Sequence, residues 1–258
     1  MSKSAEPVLY SFATGDLLTD ALAKHITRIQ RDAIDRKGRF TIAISGGSLP
    51  KTLRGLIGRP GVSWDKWHVY YADERVVPLD HADSNHALCT RELYSHLGGA
   101  LPAAHIFALD PTLLDDLEEL TDDYENKLIA EFASKDSARF PVFDLILLGM
   151  GPDGHTASLF PGHRILSEDD RWVAAVSDSP KPPPKRITLT LTVINHAAHV
   201  AFVASGEAKK DVLRVILDDP AQGLPCSRVR PVAPGHLAWF VDDAASALVQ
   251  YPRSQFGV

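Results

Sequence analysis

The chain has 258 residues, 45% of them hydrophobic, enough for one large α/β domain or two small ones and for a substantial core without covalent staples. A net charge of -6 and a pI near 6.0 argue against a nucleic-acid partner, whose phosphates select strongly basic faces, yet leave room for a local pocket for one small anion. Two lone cysteines, Cys89 and Cys226, have no CxxC spacing, so zinc and dithiol sites are not indicated and a reducing, cytoplasmic setting is expected.

The first ten residues hold no apolar core of a secretory signal. Between Gly15 and Gly38, the apolar residues Leu17, Leu18, Ala21, Ile26, Ile29 and Ala33 recur at helical spacing, with Thr14 and Asp16 as caps. Residues 39–44 predict a strand that runs into Ser45-Gly-Gly-Ser-Leu-Pro50 and a short helical stretch over 51–57. A second strand is expected over 67–72, ending at Asp73-Glu-Arg75, followed by helices over 85–97 and 113–132. Residues 143–148 are almost wholly apolar, as in a strand buried on both faces. Strands over 172–176, 187–189 and 199–204, a helix over 206–217 and a strand over 237–241 complete the pattern. No repeat is visible, and the proline-dense stretch 179–186 reads as a stiff extended loop. No apolar run reaches the roughly 20 residues needed to cross a bilayer, and residues 254–258 match no anchor or peroxisomal address. Alternating strands and helices predict an α/β fold, a mainly parallel sheet with helices on both faces. Such sheets bind ligands at the carboxyl ends of their strands, where the glycine-rich and charged segments of this chain repeatedly fall.

Four segments carry chemistry. In Ser45-Gly-Gly-Ser48 the glycines Gly46 and Gly47 let backbone amides approach an anion, and Ser45 and Ser48 add hydroxyls. The loop is neither a Walker A nor a GxGxxG motif, and a tight strand-to-helix turn would also want glycine. Ala72-Asp-Glu-Arg75 places Arg75, a group for an anion or a charged sugar oxygen, beside Asp73, which could orient a hydroxyl or a histidine. In Gly149-Met-Gly-Pro-Asp-Gly-His-Thr-Ala-Ser-Leu-Phe-Pro-Gly162 a bent loop presents Asp153 and His155 at the mouth of a buried strand. A histidine there can stay neutral and take a proton from water, with Asp153 either orienting it or binding substrate. The fourth segment is basic: Lys181, Lys185 and Arg186 precede one late strand, and Lys209 and Lys210 follow the next, able to complete a phosphate site. Neither HExxH nor GxSxG is present, so metalloprotease and serine-hydrolase chemistry find no support. Trp64, Trp67, Trp172 and Trp239 lie in or beside apolar strands and are expected in the core.

Taken together, Ser45–Pro50, Ala72–Arg75 with Val77-Pro78 and Ser84-Asn85, Gly149–Gly162, Lys185-Arg-Ile-Thr-Leu189 and Ser205-Gly-Glu-Ala-Lys209 resemble the 6-phosphogluconolactonase family. They occur in that family's order and span most of the chain, so residues 1–258 are expected to form a single domain. Leu49 departs from the threonine the family often carries there. The resemblance implies a Rossmann-like fold and hydrolysis of 6-phospho-D-glucono-1,5-lactone without metal or cofactor. Its partner would be a small molecule, with no nucleic acid and no membrane, and the chain a monomer or weak homodimer. By position it implies His155 as general base, Arg75 as a substrate-binding group, and Gly47, Ser48, Arg186 and Lys209 as phosphate contacts. The related amino-sugar-phosphate deaminases carry an acid shortly after the loop histidine, where this chain has Phe160, which cannot move protons. A non-catalytic sugar-phosphate sensor would be expected to add a basic DNA-binding segment, and none is visible.

Overall fold

The computed structural model describes residues 4–133 and 140–257; the terminal stretches read above for targeting signals extend outside these at residues 1–3 and 258. In chain order the elements are β1 (Pro7–Phe12), α1 (Gly15–Lys37), β2 (Phe40–Ile44), α2 (Leu49–Thr52), β3 (Trp67–Tyr71), β4 (Asp73–Arg75), α3 (Asn85–Glu92), α4 (Leu117–Phe132), β5 (Leu145–Gly149), β6 (Val173–Val176), β7 (Arg186–Leu189), α5 (Leu191–Ile194), β8 (His199–Ala204), α6 (Lys210–Asp218), α7 (Pro225–Arg228) and β9 (His236–Asp242). Six strands form one sheet in the order β1-β9-β8-β5-β2-β3, and every neighbouring pair is parallel.

Side chains alternate across this sheet with period two. Ala43, Tyr70, Ile146, Leu148, Phe202 and Trp239 face a core closed by α4 and α6, through Leu120, Tyr124, Leu128, Leu213 and Ile216. Ile42, Ile44, Val69, Tyr71, Leu147 and Phe240 face a second core closed by α1, through Leu18, Leu22, Ile26 and Ile29. The predicted helices on both faces are therefore present. Helix α1 starts where the Thr14 hydroxyl accepts the Leu17 N–H, and it stops at Gly38, whose φ of 77° is the left-handed conformation of a C-cap. Leu17, read as part of its apolar stripe, is instead an exposed first-turn residue.

The structure departs from the predicted elements in two places that matter. Strand β1, not anticipated, adds an edge beside β9 and so joins the two ends of the described chain. Its proline stands at the first strand position, where no ladder hydrogen bond is needed. The strands expected at 172–176 and 187–189 do not enter the main sheet. With β4 they form a separate antiparallel sheet, β4-β7-β6, in which Arg75 lies directly opposite Arg186 and Asp73 opposite Thr188. The expected helix over 85–97 ends at Glu92 and continues as a single 3-10 turn, Tyr94–His96. Trp67 and Trp239 are fully buried, Trp172 nearly so, and Trp64 packs its ring 4.6 Å from that of Trp67. Both cysteines are buried and free.

Candidate active site

Strand order reverses around β2: the chain steps outward to β3, then returns to the other side of β2 as β5. Adjacent strands whose connections diverge leave a crevice at their carboxyl ends. The loop after β2 and the loop after β5 both open there, around a cavity of about 210 Å³. Ser45, Gly46, Gly47, Ser48, Asp73, Arg75, His155, Arg186 and Lys209 all line it; of the residues singled out from sequence for the site, Asp153 stands outside the lining. Lys181, Lys185 and Lys210, read with the basic segments, do not line it, and Lys210 pairs with Glu207 at 2.7 Å.

His155 is held from behind. Asp153 Oδ1 contacts the ring at Nδ1 and also accepts the His155 backbone N–H at 3.3 Å. The backbone loop is closed by the Gly151 N–H donating to His155 O at 2.8 Å. Phe160, only 1% exposed, packs its ring 4.7 Å from the imidazole. With Nδ1 occupied, Nε2 has no partner among the described residues and is the nitrogen left for the cavity. Burial lowers the affinity of His155 for a proton; Asp153 opposes this and Lys181 adds to it, and the result lies below the ordinary value of 6.5. The ring is therefore neutral near pH 7 and able to accept a proton. Burial works to raise the Asp153 carboxyl, but the hydrogen bond and charge of His155, with Lys181, pull it down to about 2.

Of the two readings given Asp73 by sequence, the structure has it holding hydroxyls, those of Ser45 and Ser158, and not the histidine. Its carboxylate, 4% exposed, accepts the Ser45 hydroxyl at 3.1 Å and the Ser158 hydroxyl at 2.9 Å. The Asn85 amide donates to its carbonyl oxygen at 2.8 Å. Asp73 thus ties the ends of β2 and β3 to the start of α3 and to the histidine loop, and it does not contact the imidazole. The Asn85 side chain in turn lies so close under the β2 loop that a Cβ on Gly46 would sit 1.9 Å from its Oδ1, which explains glycine at that position. Glu74 caps α3, accepting the backbone N–H groups of Asn85 at 2.7 Å and His86 at 2.8 Å and the Ser84 hydroxyl at 3.2 Å. Burial pushes its carboxyl up to about 7 while those backbone donors resist the shift.

The cations are positioned by neutral oxygens. Arg75 Nη1 donates to Asp83 O at 2.7 Å, and its buried Nε has no partner among the described residues. Arg186 donates to the carbonyls of Lys181 at 2.9 Å, Pro182 at 3.2 Å and Pro183 at 3.1 Å, with its guanidinium 5.6 Å from the centre of the Phe160 ring. Lys209 donates to Met150 O at 2.7 Å. Burial, and then Arg75, lowers the proton affinity of Arg186; burial, and then Lys181, does the same for Lys209. Like charges placed directly opposite on a sheet repel. Two facing arginines and a lysine around one cavity therefore make a place for an anion. The backbone N–H groups of Gly46, Gly47 and Ser48 have no acceptor among the described residues and add further donors.

Sequence reasoning missed Ser158, Asn85 and the position of Lys181. The serine and the asparagine lay inside quoted motifs, but only the fold brings them to Asp73. The carboxylates of Glu168, Asp169 and Asp170 come within 4.8 Å of one another, away from the cavity lining. Among the described residues no helix is long and apolar enough to cross a membrane.

Residues 13–239 match the family profile described as glucosamine-6-phosphate isomerases/6-phosphogluconolactonase. The chain is 46% identical over 244 residues to a probable 6-phosphogluconolactonase of Schizosaccharomyces pombe, covering 93% of this chain and 95% of that protein. It is 41% identical over 258 residues to a 6-phosphogluconolactonase of Rattus norvegicus, covering 98% and 97%. The solved structure of 6-phosphogluconolactonase from Trypanosoma cruzi superposes with a TM-score of 0.81 at 29% identity, covering 96% of this chain and 99% of that one. A profile match across most of the chain, with relatives matched nearly end to end, places the protein: it belongs to the glucosamine-6-phosphate isomerase/6-phosphogluconolactonase family.

Proposed function

We propose that the protein is a 6-phosphogluconolactonase, hydrolysing 6-phospho-D-glucono-1,5-lactone to 6-phospho-D-gluconate. The observation that carries this reading is His155, anchored at Nδ1, facing a cavity that also holds Arg75, Arg186 and Lys209. Nε2 takes a proton from water as the oxygen attacks the C1 carbonyl. Asp153 supports the imidazolium that forms, and Arg75 offsets charge on the carbonyl oxygen. Collapse of the adduct breaks the bond from C1 to the ring oxygen, and the proton on His155 passes to that departing oxygen. Atoms balance as lactone plus water giving the hydroxy acid, which ionises at neutral pH. Arg186, Lys209 and the amides of residues 46–48 bind the phosphate, whose remote binding energy fixes the carbonyl against the water.

A lactone is an activated ester, so one positioned base with charge stabilisation suffices and no covalent intermediate is needed. Phe160 occupies the histidine's flank where a deaminase would need an acid, which favours hydrolysis over amino-sugar chemistry. The chain 1–258 acts as one catalytic unit, a monomer or weak homodimer in the cytoplasm, on a small-molecule substrate without metal or cofactor. The test is a lactonase assay on freshly generated 6-phosphogluconolactone, corrected for spontaneous hydrolysis; a rate equal to that correction would overturn the proposal.

Two expected results follow directly. Arg186→Ala raises KM for the phosphorylated lactone far more than for unphosphorylated gluconolactone, by about 100-fold if two charge-assisted hydrogen bonds of 1.5 kcal/mol each are lost. An equal change with both substrates removes Arg186 from the phosphate site. Exhaustive chelation leaves the rate unchanged; loss of activity restored by one particular metal would contradict the metal-free mechanism.

A further inference from the structure

The stiff stretch between β6 and β7 brings one more charged group to the histidine. Ser179 Oγ donates to Lys181 O at 2.9 Å, the Ser179 N–H donates to Pro184 O at 3.1 Å, and Arg186 Nη2 donates to Lys181 O at 2.9 Å. The backbone of Lys181 is therefore fixed from both sides. Its ammonium reaches Asp153 Oδ1 at 3.2 Å and lies 3.1 Å from His155 Nδ1. Lys181 and Asp153 both lie outside the cavity lining, so this contact is made on the rear edge of the ring.

We infer that Lys181 is a positioning residue for the reaction: it shares Asp153 with His155 and keeps the imidazole in its proton-accepting form at working pH. Asp153 exerts two opposed effects on the ring. A carboxylate against Nδ1 fixes ring and tautomer, but it also stabilises the imidazolium and so works against the burial that holds the ring neutral. An ammonium on the same carboxylate oxygen cancels much of that charge while leaving the hydrogen bond in place. The other charged groups near His155 do not substitute for it. Asp73, across the cavity on β4, pulls the other way and is occupied by Ser45 and Ser158. Lys209 is held at Met150 O, Arg75 at Asp83 O, and Arg186 on the carbonyls of the Lys181 loop. The buried Cys226 thiol, whose Sγ lies 3.5 Å from His155 O, is pushed above its ordinary range by burial and stays neutral.

This inference rests on the proposed lactonase reading for its kinetic test, but it can also be tested without substrate. In the wild type, the acid limb of kcat/KM should have its midpoint below the ordinary histidine value of 6.5, because His155 must be neutral to act. In Lys181→Met the acid limb should move up by about half a unit or more, the direction expected when a nearby cation is removed. Plateau KM should hold, since Lys181 does not line the cavity, and Lys181→Arg should restore the limb. The matching substrate-free measurement is the NMR titration of the His155 ring, assigned by difference with His155→Gln, which should shift in the same direction. An unmoved titration in a folded Lys181→Met protein overturns the inference, whatever the activity. A shifted titration in a protein with no lactonase activity upholds the role of Lys181 and overturns the lactonase reading instead.

Discussion

Replacing His155 with alanine is expected to lower kcat for 6-phosphogluconolactone by about two to four orders of magnitude, the usual contribution of a positioned general base. KM should change little, because the groups assigned to the phosphate stand on other elements: residues 46–48 after β2, Arg186 on β7 and Lys209 before α6. The fold should survive for two reasons. The side chain of His155 is 18% exposed, so its loss opens a small, wet space. Asp153 is not orphaned, because Lys181 remains 3.2 Å away to pair with it. Some rate above background should persist from the bound orientation and the cations, and added imidazole should recover part of the rest. A variant with near-normal kcat after subtraction of spontaneous hydrolysis would remove His155 from the role of base.

Much of this site was legible in the sequence because its loops need residues with few other uses. Three glycines and a proline around Asp153 leave little choice but a bent loop, and the apolar run before them marks a buried strand. What pairs with what was less legible. Residues 172–176 and 187–189 read as strands, but nothing local says whether a strand joins the main sheet or a second one. That choice puts Arg75 and Arg186 face to face, so the anion site could be named by residue and not built from sequence. Strand β1 is short and mixes apolar residues on both faces, Leu9 on one and Val8, Tyr10 and Phe12 on the other, so it shows no clean alternation. The role of Asp73 depends on partners 28 and 85 positions away, and no periodicity reports such contacts. The charge of Lys181 is visible in the sequence and its direction is not, so it reads there with the phosphate-binding cations.

The second large effect is expected from a residue that carries no side chain. Gly151 has a backbone conformation open to any residue, so alanine there should cause no backbone strain. The added Cβ, however, would lie 2.0 Å from both Cε1 and Nδ1 of His155 and 2.8 Å from Asp153 Oδ1. Real atoms do not approach so closely, and something must move. The loop backbone is tied by the Gly151 N–H to His155 O and the Gly154 N–H to Gly151 O, so the imidazole is the part that gives way. A ring turned out of its slot loses Asp153 at Nδ1 and no longer presents Nε2 to the cavity. Gly151→Ala should therefore lose most of the kcat lost in His155→Ala, about 100-fold or more, since a displaced base is worth little more than an absent one. Binding of 6-phosphogluconate and Tm should stay near wild type. Gly154→Ala is a poorer test, because its φ of 80° and a Leu224 contact at 2.9 Å would disturb the loop itself. Full activity in Gly151→Ala would mean that the ring works from another position, and the Asp153–His155–Lys181 arrangement would then have no part in the chemistry.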